Sequence, residues 1–91
     1  MIAPFELGPL VATPAALVAC EMANVLPSAL LKRHAAGDWG EVPAGDAREN
    51  ELSLRKGFRI LSSYPLPTGA KVWIITEADR SSTCLLLPEE Y

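Results

Sequence analysis

Apolar and polar positions follow two different periods along this chain, and the change falls close to residue 58. Before it, apolar residues come in helical blocks; after it, they recur at every second position. The first block, 15–24, holds a single charge, Glu21, and is introduced by Thr13 and Pro14. Threonine followed by proline suits an N-cap and a first helical position. A helix apolar all round is expected to be buried on most sides or to cover a partner. Leu10-Val11-Ala12 in front of it reads as a short apolar lead-in.

Pro27 restarts the chain into a second helix, 28–36, stopped by Gly37. The short connection predicts an antiparallel helical pair. Leu30, Leu31 and His34 fall on one face, while Lys32 and Arg33 complement the C-terminal end of the helix dipole. Gly37-Asp38-Trp39-Gly40 has the composition of a turn. A third helix, 44–56, carries its acids first and its bases last and ends at Gly57. Ala47, Asn50 and Leu54 share a face of it, which aims the polar Asn50 inward.

Beyond Gly57 the period is two. Residues 59–64 alternate weakly, 65–69 form a turn, and 71–77 is the strongest strand pattern in the chain. Its two faces, Val72, Ile74 and Thr76 against Trp73, Ile75 and Glu77, are both largely apolar, as in a central strand. A last strand, 83–87, stops at Pro88. Three helices followed by three strands predict an α+β fold. N-terminal helices pack on one face of a three-stranded antiparallel β-meander, in a single domain over 1–91.

Composition narrows the function classes. The chain has 91 residues, 49% hydrophobic and 21% charged, with a formal charge of −3. That supports one packed core, and it disfavours RNA or DNA as partner, since a nucleic-acid grip needs a basic face. A local basic set, Arg48, Arg55, Lys56 and Arg59, keeps a weak nucleic-acid-binding reading open. Cys20 and Cys84 lie far apart inside apolar runs and read as small hydrophobes of a reducing compartment. No signal-peptide pattern and no run of about 18 apolar residues are seen, so a cytoplasmic protein with no membrane association is expected.

The candidate chemistry is sparse. His34, the only histidine, is expected to be a partly buried, hydrogen-bonded group, or else a general acid or base. One histidine without a cysteine cluster makes no metal site, and no cofactor motif is present. Asp38 and Trp39 read as a structural corner, with a binding loop as the alternative. Asn50 reads as a buried tether of a loop backbone. The hairpin tip 76–83 offers Glu77, Asp79, Arg80, Ser81 and Thr83. Either Asp79 and Ser81 only build the turn, or Glu77 is a base and Arg80 holds a phosphate or carboxylate among orienting hydroxyls.

At His34-Ala-Ala-Gly-Asp-Trp-Gly40, at Ser63-Tyr64, at the run from Val72 to Thr83 and at the stretch ending in Tyr91, the chain resembles a family of small bacterial proteins. Plasmids and integrative elements encode them, and no activity is attached to the family. The resemblance therefore implies a setting, the bacterial cytoplasm and mobile DNA, without a mechanism. The family pattern suggests Thr where Cys84 stands, which argues against a cysteine nucleophile. At fold level alone, helices before an antiparallel sheet bearing Glu, Arg and His are similar to barnase and colicin-type ribonucleases. Those enzymes cleave RNA without metal, with a base, an acid and an arginine.

The leading expectation is a non-enzymatic accessory protein with a protein partner, using the apolar first helix and an exposed Trp39 corner; a homodimer stays open. The alternative is a metal-independent ribonuclease-like or toxin-like hydrolase. There Glu77 is base, His34 acid and Arg80 phosphate clamp, with Asn50 and Thr83 orienting the substrate. That alternative requires His34, Glu77 and Arg80 to meet in one cleft.

Overall fold

Thr13 caps the first helix as its place before proline suggests. Its hydroxyl accepts from the Ala16 amide at 3.1 Å, and α1 runs Pro14–Met22. Pro27 occupies the first turn of α2, Pro27–Ala35. Helix α3 spans Ala44–Lys56 and ends at Gly57, whose φ of 75° is the left-handed geometry of a helix stop. The computed structural model describes residues 5–91.

Both α1 and α2 finish in paired backbone turns that fix the exit direction. After α1, Asn24 adopts φ 57°, with Asn24 N–H on the Glu21 carbonyl and Val25 N–H on the Cys20 carbonyl. After α2, Gly37 and Asp38 bond the His34 and Arg33 carbonyls in the same way. A left-handed residue at this position throws the chain sideways. Hence α1 and α2 meet at 106°, and the expected antiparallel pair is corrected.

The sheet differs from the expected three-stranded antiparallel meander: it is mixed and has four strands, in the order β1-β4-β3-β2. Strands β2 (Ile60–Pro65), β3 (Lys71–Thr76) and β4 (Thr83–Leu86) pair antiparallel in sequence. The fourth, β1 (Leu10–Ala12), lies parallel to β4, with Leu10 beside Thr83 and Ala12 beside Leu85. The three residues of β1 are too few to show a period. Only the ladder offered by β4 makes them a strand.

One sheet face carries the core. Val72 and Ile74 of β3, Tyr64 of β2 and Leu85 of β4 pack against Ala16 and Cys20 of α1 and Leu30 of α2. Ala16 and Cys20 stand four apart, both fully buried and both small, so α1 can sit close to the sheet. Its opposite side is open: Leu17, Val18 and Met22 are exposed. The apolar helix is thus buried along one stripe, and the expectation of burial on most sides is corrected. Helix α3 does not join the other two on that face. It runs beside β2, where Asn50 and Ser53 bond the strand's outer backbone. On the second face, the turn Pro88–Glu90 leads to Tyr91, whose ring meets Trp73 edge-on at 5.7 Å. Among the described residues, no single helix is long and apolar enough to cross a membrane.

Candidate functional site

His34 projects from α2 onto the core face of the sheet and is fully buried. Its Nδ1 lies 2.5 Å from the Ser62 hydroxyl and its Nε2 2.9 Å from the Thr76 hydroxyl. Thr76 and Thr83 hydroxyls are 2.8 Å apart, and Thr83 donates to the Leu7 carbonyl at 2.6 Å. Counting hydrogens fixes the direction of this chain. Thr83 gives its only hydroxyl hydrogen to Leu7, so it accepts from Thr76; Thr76 therefore accepts from His34 Nε2–H. Nδ1 is then the acceptor, and Ser62 donates to it. The relay holds a neutral imidazole in one tautomer.

The surroundings oppose a charge on that ring. Phe5 and Trp39 meet it edge-on, with ring centroids at 5.4 and 5.9 Å. Burial pulls the His34 pKa from its usual 6.5 to about 4. Protonation would also place a second donor against Ser62, whose own hydrogen already points there. His34 is a buried, hydrogen-bonded member of the core.

The string from His34 to Gly40 serves the same end. Arg33 and Asp38 form an ion pair at 2.6 Å, and Asp38 accepts from the Gly40 amide at 3.2 Å. The buried Tyr64 hydroxyl donates to the Asp38 carbonyl at 2.7 Å, beneath the Arg33 guanidinium. Burial pushes the Tyr64 phenol up to about 12. Gly40 has φ 71°, and a Cβ there would stand 2.1 Å from the Ser63 carbonyl oxygen. Trp39 is buried, its indole N–H on Glu51 at 3.0 Å; the expected exposed Trp39 corner is corrected. The turn is a structural corner that clamps α2 to β2.

Asn50 is the tether its inward position suggested. Its amide donates to the Leu61 carbonyl at 2.6 Å and accepts from the Leu61 amide at 3.1 Å. In the hairpin tip, Asp79 accepts from the Ser81 amide at 3.0 Å, a bond that helps hold its carboxyl below the usual range. Asp79 and Ser81 therefore build the turn. Arg80 folds back and donates to the carbonyls of Phe58, Ser53, Glu77 and Ala78 at 2.7 to 3.3 Å. Its guanidinium ties the tip to the end of α3.

The structure does not bring the three proposed catalytic groups into one cleft. His34 is sealed on the core face. Glu77 sits on the opposite face beside Ile75, Cys84 and Tyr91, 3.8 Å from Arg59. Arg80 lies 5.6 Å over the Phe5 ring, which separates it from His34. A cleft of about 520 Å³ between α3 and β2 is lined by Asp46, Glu49, Asn50 and Arg59 and includes none of the three. Of the basic set, Arg48, Arg55 and Lys56 are exposed on α3, and Arg59 is engaged by Glu77 and Tyr91. Among the described residues no group of three metal-ligating side chains is found.

What sequence reasoning missed is strand β1. The Thr13 amide bonds Leu85 and the Pro9 carbonyl accepts from Thr83, so Pro9 and Thr13 face β4. By alternation Val11 faces β4 as well, and the backbone of Leu10 and Ala12 points outward. Those amides and carbonyls have no partner among the described residues. Leu10 and Val11 are more than half exposed, and Leu17, Val18, Met22 and Leu26 extend the apolar surface across α1. The signal in the sequence was the run from Leu7 to Cys20 without a single charge.

Comparison with family models, with curated proteins and with solved structures finds no match to this chain.

Proposed function

We propose that this chain is a non-enzymatic accessory protein of a bacterial mobile element that acts by protein contact, through the surface formed by β1 and the outer side of α1. One observation carries the reading: a strand edge without partners among the described residues is followed directly by α1 with exposed Leu17, Val18 and Met22, while His34 and Arg80 are taken up by hydrogen bonds within the fold. Contiguous apolar surface beside unsatisfied backbone is what strand addition and helix contact use. The mobile-element setting rests on the resemblance of the His34–Gly40 and hairpin strings.

A comparative pull-down tests the surface. The double variant Val18→Glu/Met22→Glu is expected to lose bound proteins that the wild type retains, whereas Arg48→Glu/Lys56→Glu on α3 keeps them. Equal recovery by both variants would count against the reading. An RNA-cleavage assay on purified protein addresses the hydrolase alternative: wild type, His34→Ala and Glu77→Ala are expected to share one background. Cleavage lost in either variant would overturn the non-enzymatic assignment.

A further inference from the structure

Strand β1 is bracketed. Gly8 ahead of it has φ 65°, which takes the chain out of extended geometry, and a Cβ there would meet the Arg80 carbonyl oxygen at 2.4 Å, so glycine is needed at that bend. Behind it, Pro14 has no amide hydrogen. Only Leu10 and Ala12 offer outward N–H and C=O groups. Among the described residues, a strand added here must satisfy Leu10 and Ala12, two positions apart.

We infer that the occupant of this edge is β1 of a second copy, antiparallel, about a two-fold axis through Val11. This builds on the interaction reading above and names its partner. An antiparallel arrangement that sets Leu10 opposite Ala12 of the other copy makes both of them hydrogen-bonded pairs. Four backbone bonds form, and all the outward groups are satisfied at once. Side chains match in the same register. Leu10 packs against an alanine on one sheet face, at both ends of the contact, and Val11 meets its own counterpart on the other face. Large beside small and a β-branched pair across a non-hydrogen-bonded site are favourable cross-strand combinations.

Charge points the same way. The whole chain carries −3, so two copies repel, yet nothing between Leu7 and Cys20 is charged. The strand itself therefore brings no charge to the contact, and the carboxylate of Glu90 is held by the Thr13 hydroxyl at its end. A two-fold axis normal to a sheet keeps its faces, so the continued sheet has eight strands with both α1 helices on one side. The remaining exposed apolar residues, Leu17, Val18 and Met22, are then carried on that side by both copies. Each copy closes the other's open edge.

Cross-linking tests the register. At a non-hydrogen-bonded antiparallel pair the Cα atoms are about 4.5 Å apart, within disulfide reach. In a Cys84→Ser background, Val11→Cys is expected to oxidise to a covalent dimer, while Leu10→Cys, which faces Ala12, is not. Sedimentation velocity on wild type is expected to show a monomer–dimer equilibrium. Val11→Lys should weaken it by about a hundredfold, since two buried valines are lost and like charges are opposed. An equimolar mixture of Val11→Lys and Val11→Glu should recover a heterodimer. A wild type monomeric at all concentrations, with Val11→Cys linking no better than Leu10→Cys, overturns the inference. So does a dimer that Val11→Lys leaves as tight as before. If the purified protein is monomeric but the pull-down still depends on Val18 and Met22, self-pairing fails while the interaction surface survives.

Discussion

Strands β2 and β1 terminate the same sheet, and their outer edges are finished in opposite ways. Along β2 every outward group from the Arg59 carbonyl to Ser63 has a partner. Ser53 donates to the Arg59 carbonyl, Asn50 takes both groups of Leu61, and the backbone of Trp39 and Glu41 takes both groups of Ser63. The next outward residue, Pro65, has no amide hydrogen. Along β1 nothing among the described residues answers Leu10 and Ala12. An unprotected edge is a liability that folded proteins usually suppress. Three separate devices on β2 show that this chain has the means to do so. Their absence from β1 among the described residues, where the side chains are also apolar, is the contrast on which the proposed pairing rests.

The β2 seal depends most on Gly40. Gly40→Ala adds a Cβ at 2.1 Å from the Ser63 oxygen and 2.7 Å from the Tyr64 ring, in a left-handed backbone. Chemical denaturation is expected to show a loss of about 4 kcal/mol, combining strain and overpacking. A cost below about 1 kcal/mol would mean that the corner yields easily and the seal is soft.

Acid should weaken the relay behind that corner. Because folding lowers the His34 pKa from 6.5 to about 4, the unfolded chain binds more protons between those values. His34's contribution is complete above pH 6.5 and is lost as pH falls toward 4, by about 3 kcal/mol. Urea titrations at a series of pH values should show this slope. Glutamine keeps a donor and an acceptor without titrating, so His34→Gln should lack it. The same slope in both proteins would place the acid sensitivity elsewhere.

Removing one device should make β2 resemble β1. Asn50→Ala strips both bonds from Leu61 and is expected to cost about 2 kcal/mol. It should also produce concentration-dependent association that Val11→Lys does not suppress, as light scattering would reveal. A variant as monodisperse as wild type would show that Asn50 stabilises without protecting. Asp38→Asn, at an ion pair whose side chains are about half exposed, should change stability by less than about 1 kcal/mol. A larger loss in thermal melts would mean that the Arg33–Asp38 pair, and not Gly40, holds the corner.

The regular elements were legible because local chemistry dictates them. Thr13 and Pro14, Gly57, and the alternation of 71–77 each act within a few residues, and helix and strand bounds follow within one or two positions. Asn50 was readable as an inward tether because helical spacing sets its face. Its target was not readable, since Leu61 reaches it only when β2 folds alongside α3. The candidate site suffered for the same reason. His34, Glu77 and Arg80 look alike as chemistry-bearing residues in a string, but sheet alternation sends Thr76 and Glu77 to opposite faces. Trp39 was read as exposed because turn residues usually are, and its burial comes with partners distant along the chain, the Phe5 ring and the Glu51 carboxylate.

From the linear chain alone came the helices with their stops, the antiparallel run of β2, β3 and β4, and the polar residue types available, all of them products of interactions between near neighbours. Tertiary packing decided the rest: that Leu10-Val11-Ala12 becomes a strand, that His34 is held neutral, and that the β2 edge closes while the β1 edge finds no partner among the described residues. Those outcomes hang on hydrogen-bond partners many positions away, and a backbone amide carries no mark in the sequence of whether such a partner will arrive.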